Sequence, residues 1–184
     1  MTCCEKKLLD CREKDGPFAK CVCDADPDRA CEAVSVSSFS RGPVVNEEEI
    51  ARFIEIPVHG SLLDGSFSPN DSLFQDLLSH GLSCVRISYE NETRIHERGN
   101  EHAAQKSREG KLREYFGFAK LKVSFLRSLE CDGGLRVYDT ASEEFRSHAE
   151  ALAYPPDKRA RKTLLASLVH YVTSGADRVV RIAD

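Results

Sequence analysis

The chain has 184 residues, 41% of them hydrophobic and 30% charged, with eight cysteines and a net charge of −4. That length and apolar content suit one domain of ordinary size with a real core, and they exclude a disordered chain. The longest apolar runs, such as Leu164-Leu165 and Leu168-Val169, are far too short to span a bilayer; the N-terminus is charged at once and lacks an apolar secretory stretch, so the sequence predicts a cytoplasmic protein with no membrane partner.

Residues 1–45 read as a cysteine-rich leader and residues 46–184 as a single α+β domain. A short helix fits Glu5 to Arg12, and Gly16-Pro17 and the stretch from Asp24 to Asp28 break any longer one. Gly42-Pro43 marks the boundary. Asn46 and three glutamates resemble a helix start leading into a first strand, Arg52 to Pro57. Asp64-Gly65 marks a loop or hairpin. Asn70 or Asp71 caps an amphipathic helix to about Ser79, with Leu73, Phe74, Leu77 and Leu78 on its stripe.

Ser83 to Tyr89 reads as a strand. A charged surface helix follows over Thr93 to Arg108, interrupted at Gly99-Asn100. From Gly117 to Phe125, Ala119, Leu121, Val123 and Phe125 alternate with Lys120, Lys122 and Ser124, the pattern of an antiparallel strand with one wet face. Asp132-Gly133-Gly134 signals a turn, after which Leu135 to Asp139 pairs back as a hairpin arm. His148 to Tyr154 is a further strand. Asp157 caps the closing helix, Lys158 to Val172, whose stripe of Leu164, Leu165, Leu168, Val169 and Val172 is the clearest in the chain. Arg178 to Ile182 reads as an edge strand or a loose tail. The expected fold is α+β: a mostly antiparallel sheet packed by the C-terminal amphipathic helix and one or two further helices, behind the leader.

Six cysteines crowd the leader, and in a cytoplasmic protein they read as free thiols or metal ligands before structural disulfides. The metal reading is a zinc site drawn from Cys11, Cys21, Cys23 and Cys31, although the spacing lacks the paired C-x2-C pattern of a zinc ribbon. His148 opens a strand after a polar loop, where a general acid or base can sit; the plainer reading is that it fixes the loop by hydrogen bonds. Arg52, Arg86 and Arg136 lie in strands, where a guanidinium needs a partner, and a shared cleft would suit a phosphate or carboxylate.

Two basic runs, one including Lys111 and Arg113 and the other Lys158, Arg159, Arg161 and Lys162, are candidate contacts to a nucleic acid or a protein partner. The charge is uneven: residues 46–104 carry 4 basic and 11 acidic side chains, and residues 105–184 carry 15 basic and 11 acidic. Such a chain can present opposite fields on two faces and is unlike a uniformly basic nucleic-acid binder. Phosphate-loop, dinucleotide-binding and serine-hydrolase signatures are absent from the sequence.

The ordered landmarks Ala51-Arg52-Phe53-Ile54, Leu82-Ser83-Cys84-Val85-Arg86, Ser147-His148-Ala149-Glu150 and Pro155-Pro156-Asp157-Lys158 resemble a family of small bacterial proteins. The resemblance spans Glu49 to Val172. It implies that Arg52, Arg86 and His148 form one constellation, and by analogy a role in a phage-defence or mobile-element locus. Two functions compete on these grounds. One is an accessory module that docks a protein or nucleoprotein partner. The other is a small enzyme acting on a nucleotide or nucleic-acid phosphate, with Arg52 and Arg86 binding the phosphate and His148 as acid or base.

Overall fold

A computed structural model describes residues 2–129 and 134–182. In the leader, α1 (Cys3–Arg12) starts on a capping box between Thr2 and Glu5, and α2 (Phe18–Ala25) follows Pro17. The strands β1 (Glu49–Ile56), β2 (Gly60–Leu63), β3 (Ser66–Pro69) and β4 (Leu82–Arg86) come next. Then come α3 (Glu92–Arg108), β5 (Glu114–Lys122), α4 (Val123–Ser128), β6 (Arg136–Asp139), β7 (His148–Leu152), α5 (Lys158–Thr173) and β8 (Val179–Arg181). Six strands form one sheet in the order β6-β7-β4-β1-β5-β8, every pairing antiparallel. The hairpin β2-β3 turns at Asp64 and Gly65, both left-handed, as a two-residue Asp-Gly loop favours.

The two sides of the sheet are covered differently. On one side Ile50, Ile54, Leu82, Leu121 and Val137 pack against Leu164, Leu165, Leu168 and Val172 of α5 and Leu126 of α4. Each such side chain, fully buried, contributes on the order of 2 kcal/mol. The opposite side is divided: Ala51, Val85 and Phe118 meet Ile95 of α3, while Tyr138 and Leu152 meet Leu8, Phe18, Val22 and Val36 of the leader. The leader is therefore packed onto the β6–β7 end of the sheet. It also covers the outer edge of β6, where Val137 N–H donates to Glu32 (2.9 Å) and Arg29 donates to the carbonyl of Leu135 (2.9 Å).

Several expectations are corrected. Val123 does not continue the alternation of β5; it opens α4, and the backbone N–H groups of Val123 and Ser124 turn back to the carbonyls of Glu48 and Asn46. β6 is consequently not the hairpin partner of β5 and pairs with β7 instead; the Asp132-Gly133 part of the expected turn lies outside the described residues. The stretch from Asn70 to Ser79 forms two short 3-10 turns, and Ile87–Tyr89 is a third in place of strand.

α3 runs unbroken through Gly99. There the helix backbone meets the Tyr115 ring so closely that an added Cβ would lie 2.2 Å from it, which explains glycine at this position. The tail forms β8 on the edge of β5.

The leader thiols are the largest correction. Cys4 is joined to Cys31 and Cys11 to Cys21 by disulfides, so Cys11, Cys21 and Cys31 cannot ligate zinc. Cys23 is left as a half-buried thiol whose pKa is raised, chiefly by burial. Among the described residues no group of three or more His, Cys, Asp or Glu side chains could hold a metal ion. None of the described helices is long and apolar enough to cross a membrane.

Candidate functional site

β1 and β4 pair at only two positions, Ile50 with Arg86 and Ala51 with Val85. Beyond them the strands fork, and the Arg52 guanidinium fills the fork. It donates to the carbonyls of Leu73 (3.2 Å) and Ser83 (3.4 Å) and to Asp76 (3.0 Å). At the same end the register of β1 against β5 shifts between Ile54 and Glu55, a bulge that re-aims the side chains beyond it. A cleft of about 620 Å³ opens here, lined by Arg52, Phe53, Glu55, His59, Asp76, His80, Ser83, Phe145, a row on α3 (Arg98, Glu101, His102, Gln105, Lys106), and Lys111 and Arg113 of the loop into β5.

Glu55 is 0% exposed. A buried carboxylate must be paired to stay charged, and Glu55 is paired twice: Oε1 lies 2.6 Å from His102 Nδ1, and Oε2 accepts from Arg113 at 2.6 Å. Burial pushes its pKa up, but the hydrogen bonds from His102 and Arg113 outweigh that and hold it at about 2. The ionised carboxylate accepts from His102, so the neutral His102 ring carries its proton on Nδ1 and has a lone pair on Nε2. The His102 side chain is 42% exposed at the cleft wall.

His59 has the complementary tautomer. Its Nδ1 accepts the backbone N–H of Glu55 (3.0 Å), and the backbone N–H of His59 donates to the Glu55 carbonyl (2.8 Å). The neutral ring therefore carries its proton on Nε2. Burial, with the Arg52 charge, lowers its pKa to about 4, so it is a neutral hydrogen-bond donor at physiological pH. The cleft thus joins a base nitrogen, on His102, to a neutral donor, on His59.

This arrangement gives a pH dependence of definite sign. Between its ordinary value of 6.5 and about 4, the unfolded chain protonates His59 and the folded chain does not. Stability falls as pH is lowered through that window, by up to about 3 kcal/mol for this one group. Asn at position 59 can accept from the Glu55 N–H but does not titrate. Urea unfolding from about pH 7 to about pH 4 will show a steeper loss for the wild type than for His59→Asn; parallel curves refute the assignment.

The cleft draws in some of the residues singled out from the sequence and leaves others elsewhere. Arg52, Lys111 and Arg113 line it. His148 lies beside it as a strut: Nε2 is 2.7 Å from Ser83 Oγ and Nδ1 is 2.7 Å from Thr140 Oγ1, with Phe145 against the ring. Both ring nitrogens are thereby engaged, and burial lowers the pKa to about 4.

Arg86 is not in the cleft. It packs on the α5 side of the sheet, 1% exposed, bidentate to Glu48 (2.6 and 2.8 Å) and bonded to Asp139 (2.9 Å) and to the carbonyls of Gly42 and Pro43. Arg136 is buried against the Asp26 carbonyl and the Tyr138 hydroxyl. Arg52, Arg86 and His148 therefore do not form one constellation, because Arg86 and His148 project from opposite sides of the sheet. Lys158, Arg159 and Lys162 are exposed on α5, on the α5-covered side, while Arg161 lies over the Tyr154 ring at 5.1 Å.

Glu55, His59 and His102 were not singled out as site residues by sequence. The signal was a carboxylate set between Ile54 and Ile56 in a strand, where a charge demands partners. Comparison with known proteins finds no match: no family model, no curated protein and no solved structure.

Proposed function

We propose that this protein is a small acid–base enzyme, with His102 as general base and His59 as the donor to the developing negative charge. The carrying observation is the doubly held Glu55, which fixes His102 with its Nε2 lone pair free in a cleft that the neutral His59 also lines. In an ester hydrolysis, His102 Nε2 would take a proton from water as the water attacks, His59 would hydrogen-bond the oxyanion, and the alkoxide expelled as the ester bond breaks would take that proton back from His102. Arg52 and Asp76 support the mouth of the cleft, and His148 positions Ser83 at its wall. The disulfides favour an oxidising compartment over a reducing one.

A nitrogen-15 NMR spectrum of the histidine rings tests the reading without a known substrate. Neutral His102 is expected as the Nδ1–H tautomer, lost in Glu55→Gln; an Nε2–H tautomer in the wild type removes the base. With p-nitrophenyl acetate and bis(p-nitrophenyl) phosphate as probe esters, His102→Asn is expected to lower turnover by about a hundredfold or more. Turnover equal to wild type in that variant refutes the reading. The docking reading retains one support: Lys158, Arg159 and Lys162 face outward with no carboxylate partner among the described residues, as an acidic protein surface would require.

A further inference from the structure

The geometry points to the ligand of this cleft: we infer that it is a phosphomonoester with a planar body, of mononucleotide size. The inference rests on the cleft assigned above but not on the role given to His102.

Five cationic side chains and three carboxylates line the cleft, and two of the cations, Arg98 and Lys106, are paired with Glu90 and Glu109 outside it. Two of the carboxylates are already committed, Glu55 to His102 and Arg113, and Asp76 to Arg52. The surplus positive charge lies on the loop between α3 and β5. Lys111 is exposed and makes no ion pair among the described residues. Arg113 uses one terminal nitrogen on Glu55, while its Nε is the one buried side-chain nitrogen or oxygen without a hydrogen-bond partner among the described residues. An orphan donor of this kind is costly. Nε itself is closed off from the cleft; the part of Arg113 left for an acceptor oxygen of the ligand is Nη2, which is not buried and makes no hydrogen bond among the described residues.

The loop that carries these groups is tied in place: Ser107 Oγ donates to the Arg113 carbonyl (3.0 Å) and accepts its N–H (3.4 Å), and the Lys111 N–H reaches the Lys106 carbonyl (3.2 Å). A guanidinium with an adjacent ammonium suits a doubly charged phosphate better than a single carboxylate. The rest of the lining supplies the body's environment: the half-buried Phe53 ring offers flat apolar surface, and Phe145 carries the planar Arg98 guanidinium over its ring at 4.3 Å. A volume of about 620 Å³ is in the range for small-molecule ligands and too small for a polymer to be engulfed.

Isothermal titration of the full, disulfide-bonded chain decides the matter, with AMP, adenosine, ribose 5-phosphate, inorganic phosphate and a single-stranded oligothymidylate as probes. AMP is expected to bind at least about tenfold more tightly than adenosine, for the phosphate, and than ribose 5-phosphate or inorganic phosphate, for the ring. Lys111→Ala, an exposed change that leaves the melting midpoint in place, is expected to weaken AMP about tenfold, and Arg113→Lys to weaken it further. His102→Asn should keep AMP affinity within about twofold, since it leaves the cationic rim intact; that separates ligand class from base chemistry.

Equal affinity for AMP and adenosine, or an unchanged affinity in Lys111→Ala, overturns the phosphate. Ribose 5-phosphate or inorganic phosphate binding as tightly as AMP overturns the planar body. Oligothymidylate binding more tightly than AMP overturns the small-molecule assignment in favour of a single strand.

Discussion

Reducing the two leader disulfides is expected to remove about 4–6 kcal/mol of stability, a large share of the total for a domain of this size. The sequence separations of 27 and 10 residues correspond to about 3.5 and about 2.7 kcal/mol in the chain-entropy model, and less than their sum because the shorter loop lies inside the longer. Cys4→Ser/Cys31→Ser should therefore cost more than Cys11→Ser/Cys21→Ser, measured by urea unfolding with reductant present and absent. A second effect should accompany the first. Glu32 and Arg29, which satisfy the outer edge of β6, lie on the segment that the longer bridge anchors. Once that segment loosens, β6 is an open edge, and the reduced protein should self-associate by strand pairing. A reduced protein that unfolds at the same urea concentration and stays monomeric would show that neither bridge secures the leader.

Replacing Arg86 with methionine is expected to cost about 3–5 kcal/mol, because it leaves two carboxylates behind without their cation. Asp139 is buried and its pKa is already raised, chiefly by burial; Glu48 is held below its usual range because the Arg86 hydrogen bond and charge outweigh burial. The guanidinium also closes the segment from Gly42 to Glu48 onto the sheet through two carbonyls. The triple change Arg86→Met, Glu48→Gln, Asp139→Asn should recover part of the loss, since the stranded charges go with their partner. Equal stability of Arg86→Met and wild type in urea would refute a structural hub here and reopen the residue to ligand contact.

The elements that were legible in the sequence are those whose apolar period is strong on its own. Leu164, Leu165, Leu168 and Val172 sit on one stripe of α5 and meet Leu121 of β5 in one core, as the two patterns require. The α+β class and the antiparallel sheet follow from the same signals. The local pattern misleads where tertiary contacts decide. Val123 and Phe125 keep the alternation of a strand, yet their backbone is turned into a helix by the carbonyls of Asn46 and Glu48. Gly99 looks like a helix breaker until Tyr115 is seen against it.

The leader pairing was not deducible, since spacing alone does not choose among cysteine connectivities. The site was legible only in pieces. Arg52 and Arg113 were singled out for the right property, positive charge. Their meeting with Glu55, His59 and His102 depends on a bulge and on a fork between strands, neither of which has a strong local signature.

The notch at Gly99 sets how the cleft can adapt. His102 is one turn further along the same helical face, so the ring of Tyr115 seated in that notch acts as a depth stop for the imidazole. α3 cannot slide or swing without lifting off the stop and parting His102 from Glu55. The short span after Ser107 is held in turn by its hydrogen bonds to Arg113 and by that from Lys111 to Lys106, while its apex Leu112, 85% exposed, stands clear. Both walls are thus set before a molecule arrives, and the cleft selects by fit.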